Sequence, residues 1–150
     1  MSIFTGFKDG KQRSTPVPGQ FFTELLPEID HLAELKVTLY AIWRLDHAQG
    51  TFRYLHEADF AADERFLASL DRRPTEAVQV MKDALERAVL RGTLLRVLLE
   101  TERVQQEYYF LNSPKGRAAV QALEAGKWRP PELGEAPMTL DVARRHVFEC

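Results

Sequence analysis

The stretch from Pro74 to Gly92 constrains the chain most. Ala77, Val78, Met81, Ala84, Leu85, Ala88 and Val89 form an almost unbroken stripe at the 3.6-residue period of an α-helix. Pro74 suits the first turn, Arg91 places a cation at the negative end of the helix dipole, and Gly92 is the expected left-handed stop. Immediately afterwards the period changes. Thr93 to Leu99 is β-compatible, Glu100 to Gln106 is polar apart from Val104, and Glu107 to Leu111 is strongly β-prone. Two such runs joined by a polar loop predict a β-hairpin.

The flanking sequence predicts the helices that cover this stripe. Phe21 to Leu26 is a short apolar helical turn that Pro27 interrupts. A long helix then follows, with Asp30 as N-cap and Glu34 in its opening turns. Leu32, Leu35, Leu39 and Ile42 share one face, and Val37, Tyr40 and Trp43 widen it, which predicts a helix covered on more than one side. Gly50 stops it, and Thr51 to Leu55 reads as a small strand. Residues 56–70 read as two short helices with a bend, carrying Phe60, Leu67 and Leu70 inward and Asp63 as a cap. After the hairpin, Ser113 and Pro114 start a last helix whose face continues through Ala118, Ala119, Ala122 and Leu123 to Gly126. The predicted class is mainly α with a small β-hairpin (α+β), arranged as a winged helix-turn-helix. Three helices bury their stripes together and the hairpin caps the open edge of that core.

The folded unit predicted in this way spans residues 21–125 of a 150-residue chain. Residues 1–20 read as an N-terminal arm: Gly6, Gly10, Pro16, Pro18 and Gly19 punctuate them, and Lys8, Lys11 and Arg13 outweigh Asp9. Residues 126–138 have a linker composition. Residues 139–150 resume a helical pattern through Leu140, Val142, Ala143 and Val147, and are expected to open a truncated C-terminal helical domain. A hydrophobic share of 45% and a charged share of 28% exclude wholesale disorder. No window approaches a membrane-spanning apolar run, and the first residues carry no secretory signal pattern. The lone cysteine, Cys150, excludes a disulfide scaffold and fits a reducing, cytoplasmic setting.

Reactive chemistry is not visible in the residues. His31, His47, His56 and His146 are scattered, and the His56-Glu57 pair lacks the second histidine of a zinc-protease helix because position 60 is Phe. No phosphate-cradling glycine loop and no nucleophile elbow occur. The expectation is a non-enzymatic chain without metal or cofactor. Nucleic-acid binding is the alternative chemistry. The helix before the hairpin is the usual reader in a winged helix, and its stretch carries Arg72, Arg73, Lys82, Arg87 and Arg91. Asp71, Glu76, Asp83 and Glu86 nearly cancel them, and Glu100 and Glu102 make the hairpin loop acidic, a poor match for phosphates. The last helix and linker are more basic, with Lys115, Arg117, Lys127 and Arg129 against Glu124.

Three stretches resemble the DnaD-like family of primosome and replication-initiation proteins. They are the Arg91-Gly92-Thr93-Leu94-Leu95 step into the hairpin, the arm-plus-helix opening from Thr15 to Leu45, and the closing RRHVFEC at residues 144–150. The resemblance implies an N-terminal winged helix that drives self-association and contacts replication-initiation or helicase-loading proteins. DNA and helicase contacts would then belong mainly to a C-terminal region. Phe4, Phe7, Phe21, Phe22, Tyr108 and Tyr109 are the expected interface anchors, since exposed aromatics anchor efficiently. Strand alternation requires one of the two tyrosines to face inward. The alternative is a winged-helix transcription regulator that would set the arginines of residues 71–91 on DNA.

Overall fold

The computed structural model describes residues 3–143. Helix α1 (Leu32–His47) is followed by two short helices, α2 (Glu57–Ala61) and α3 (Glu64–Leu70), and by the long α4 (Pro74–Arg91). Strands β1 (Leu94–Glu100) and β2 (Gln105–Leu111) form an antiparallel hairpin, α5 (Pro114–Glu124) follows, and β3 (Thr139–Ala143) closes the order. The architecture is α+β, a helical layer on a three-stranded antiparallel sheet of order β2-β1-β3. No helix among the described residues is long and apolar enough to cross a membrane.

Local signals set most element boundaries. Asp63 caps α3 by accepting from the Phe66 N–H, and Ser113 caps α5 by accepting from the Gly116 N–H. Gly92 ends α4 at φ 90°, with the Gly92 N–H on Val89 O and the Thr93 N–H on Ala88 O, a Schellman close. The cap of α1 is displaced by one residue from the expected Asp30. His31 has extended backbone and its Nδ1 accepts from the Glu34 N–H at 3.3 Å. The Asp30 carboxylate instead lies 3.7 Å from Arg91 Nη2.

Three expectations need correction. The strand expected over residues 51–55 reduces to one antiparallel bridge between Leu55 and Tyr109. Arg53 holds the preceding loop back over the end of α1, donating to the carbonyls of Leu45 and Asp46. The polar run 100–106 is not all loop, because both strands extend into it and leave a turn at residues 101–104. Backbone pairing does not require apolar side chains, and Gln105 donates to the Glu100 carboxylate across the ladder. The third correction is the largest. Residues 139–143 are not the start of a helical domain but strand β3, paired antiparallel with β1 from Arg96↔Ala143 to Glu100↔Thr139. Leu140 and Val142 alternate with Thr139 and Asp141, so period two prevails over the helical reading. Residues 144–150, including RRHVFEC, lie outside the described residues.

The sheet separates two cores. Val37, Ala41, Leu45, Phe60, Met81, Ala84, Leu85 and Ala88 pack against Leu94 and Tyr109 on the helical side. Val97, Leu99, Tyr108 and Phe110 pack against α5 on the other. The expected linker 126–138 is a strap over this second core: Trp128, Leu133 and Met138 rest on it. Gly116 lets α5 start close beneath β2, since a Cβ there would lie 1.7 Å from the Leu111 carbonyl oxygen.

Candidate interaction surface

Helix α1 is apolar on two opposite sides. Ala33, Val37, Ala41 and Leu45 are buried against the core, with Glu34 and Thr38 among them. The opposite side carries Leu32, Leu39 and Trp43, which are 67%, 39% and 42% exposed. Steps of seven and four residues align these three along one row of a helix. Leu32, Leu35, Leu39 and Ile42 are the face read from the spacing, on a helix expected to be covered on more than one side. Of these only Ile42 is buried, and Leu32 and Leu39 face outward. Double-sided coverage is therefore half met: one side is covered and the other is open.

The open side is held in shape from beneath. Trp43 lies 5.6 Å from the Tyr40 ring and 5.0 Å from the His47 ring. Tyr40 is stacked on Phe66 at 4.0 Å, and its hydroxyl donates to Asp63 Oδ2 at 2.7 Å. Burial, reinforced by the Asp63 carboxylate, pushes the Tyr40 hydroxyl up to about 12, so it remains a donor at neutral pH. A tryptophan supported this way presents rigid contact area at little entropic cost.

The expected aromatic anchors divide evenly. Phe4, Phe7 and Phe22 are exposed, at 71%, 89% and 55%. Phe21, Tyr108 and Tyr109 are buried and cannot anchor a partner. Both tyrosines are lost because both faces of the sheet are covered: Tyr109 points into the helical core and Tyr108 into the core beneath α5. Phe22 has exposed Leu26 near it in sequence, on the turns that lead into α1.

The cations of the α4 stretch are largely committed to carboxylates within the fold. Arg91 is bidentate on Glu34, at 2.6 and 3.0 Å, and also donates to the Glu28 carbonyl. Arg87 pairs with Asp83, Arg73 with Asp71 and Lys82 with Glu57. Arg72 alone of the five reaches no carboxylate among the described residues. This arrangement stands against α4 as a phosphate-contacting reader. Lys115 and Arg117 are exposed on α5, and Arg117 donates only to the Asn112 side-chain oxygen.

A polar cluster that sequence reading missed ties the strap to the sheet. Glu132 accepts from the Tyr54 hydroxyl at 2.6 Å, from the Tyr108 hydroxyl at 3.4 Å and from His56 Nε2 at 3.4 Å. Burial pushes the Glu132 carboxyl up, but hydrogen bonds from Tyr54, a backbone N–H and His56 outweigh it and hold the group below the ordinary range. Burial raises both tyrosines most, followed by the hydrogen bond to Glu132 for Tyr54 and by the Glu132 charge for Tyr108, so they stay neutral donors. Glu132 lies more than seventy residues from Tyr54 in sequence, so no local pattern could have paired them. An apolar cleft of about 360 Å³ lies elsewhere, between Pro16–Pro18, the end of α1 and the start of α5. Among the described residues no group of three His, Cys, Asp or Glu could hold a metal ion. No family model, curated protein or solved structure matches the chain.

Proposed function

We propose that the chain is a winged helix-turn-helix assembly module of the DnaD-like replication-initiation kind, acting by self-association and protein contact in the cytoplasm rather than by catalysis. Two features of the fold support the winged-helix reading: the α1, α2–α3, α4, hairpin order, and the bridge from Leu55 to Tyr109 that adds a strand-like contact before the second helix. The single observation that carries the assembly reading is the second apolar side of α1. A helix serving only its own core needs one apolar stripe, and a second exposed one bearing leucine and tryptophan has the composition of an interface centre. Replication-initiation or helicase-loading proteins are the further partners this reading implies.

The test is light scattering on the 150-residue chain and on Leu39→Glu and Trp43→Glu variants. The native chain is expected to self-associate. Each substitution removes a central anchor, with a cost of about 2 kcal/mol or more, roughly thirtyfold in dissociation constant. Trp43 also rests on Tyr40 and His47, so circular dichroism on each variant checks that the monomer still folds. Variants that associate as the native chain does would remove α1 from the interface.

A further inference from the structure

The arm and the start of α5 carry a different surface. Lys8, Lys11, Arg13, Arg53, Lys115 and Arg117 are all exposed, and none pairs with a carboxylate among the described residues. The committed cations of α4 make a clear contrast: there carboxylates of the fold pair the charge, and here no carboxylate among the described residues does, although Arg53 and Arg117 donate to neutral oxygens. Two of the six, Arg53 and Lys115, share a cleft with the root of the arm. Pro16, Val17 and Pro18 line the same cleft as Arg53 and Lys115, so the arm leaves the body of the molecule where the α5 cations begin. The carboxylates in this stretch are few, Asp9 on the arm and Asp46 on the cleft wall.

The arm adds two rings to this charge. Phe4 and Phe7 are exposed, meet each other edge to face at 5.1 Å, and belong to neither core cluster. Sequence reading placed them in a protein interface, but interface centres are depleted of lysine, and Lys8 and Lys11 follow these rings directly. Exposed aromatic rings set among unpaired cations on a segment without helix or strand have the chemistry of a single-stranded nucleic-acid track, where cations follow phosphates and rings stack on unpaired bases. An arm that forms neither helix nor strand also suits a flexible single strand better than the major groove, which admits a helix or a two-stranded ribbon.

We infer that the arm and the N-terminal end of α5 together form a binding track for single-stranded nucleic acid, with Phe4 and Phe7 stacking on bases and Lys8, Lys11, Arg13, Lys115 and Arg117 contacting phosphates. The track is separate from α4 and reads no particular sequence, because ring stacking tolerates every base.

Fluorescence anisotropy of a labelled thymidine oligonucleotide of about 15 nucleotides tests it, with the 150-residue chain titrated at several salt concentrations. Binding is expected at low salt and should weaken with a log–log slope of about −0.7 per phosphate contacted. Phe4→Ala with Phe7→Ala should lower affinity roughly fivefold or more for each ring. Lys115→Ala with Arg117→Ala should flatten the salt slope, and Arg72→Ala with Arg87→Ala on α4 should change nothing. Circular dichroism confirms that each variant folds. The proposal is overturned by no binding at low salt or by affinity indifferent to the rings. Loss on the α4 substitutions instead would also overturn it, as would equal, ring-independent binding to a duplex of the same length. Ring-dependent capture by phosphatidylserine vesicles without oligonucleotide binding would mark the arm as a membrane contact and equally end the proposal.

Discussion

Arg91 shows how a single residue can change role between sequence and fold. Read along the chain, it is a cation at the end of a candidate reading helix. In the fold its guanidinium is forked onto the Glu34 carboxylate, whose side chain is fully buried, and also donates to the Glu28 carbonyl. That pair joins α4 to α1 and to the turn before it. Removing one partner strands the other charge in the interior. Arg91→Ala is therefore expected to destabilise the chain by about 3–5 kcal/mol in a denaturant titration. Arg91→Lys should recover little of this, because a single ammonium cannot reproduce the fork. A loss below 1 kcal/mol would show that water reaches Glu34. Nothing in the local sequence identifies this pairing. Glu34 satisfies the dipole rule for an opening turn, Arg91 satisfies it for a closing turn, and both rules are met without either residue touching the other.

At the scale of elements, legibility follows the reach of the signal. Caps, glycine stops and the period change at Thr93 act within a few residues, and α3, α4, α5 and the hairpin appear close to where those signals place them. Strand β3 does not, because Leu140 and Val142 fit both a helix and a strand until β1 is known to offer an open edge. Which side of α1 is covered is not legible for a related reason: both are apolar, and only the position of α4 decides which one is buried. The strap depends on Glu132, which gives it a pH signature. The folded carboxyl is held below its ordinary value, so its contribution is complete above the ordinary carboxylate range and fades as pH falls through the lower folded value. Glu132→Gln should therefore cost stability at neutral pH, and the gap between variant and native chain should close in acid. Denaturant midpoints measured for both chains at several pH values check this. A gap that stays constant with pH would mean that the cluster holds the strap by shape rather than by charge.

At the scale of the whole molecule, three regions of the surface differ in what the fold has done with them. The α4 side carries cations already neutralised, α1 exposes an apolar row, and the arm and α5 expose unpaired positive charge. The α+β class was legible because helical and strand periods occupy separate stretches of the chain. The proposed interface is legible only in part. Composition singles out aromatic residues, yet burial of Phe21, Tyr108 and Tyr109 depends on both faces of the sheet being covered, by the helices on one side and by α5 and the strap on the other. The remaining outward row on α1 is the basis of the assembly reading, and sedimentation equilibrium tests that reading most directly. Across a concentration series reaching about 100 μM, well above the micromolar range of moderate affinities, the account predicts a mass rising from 17.2 kDa to at least twice that value. A mass that stays at 17.2 kDa throughout would contradict it.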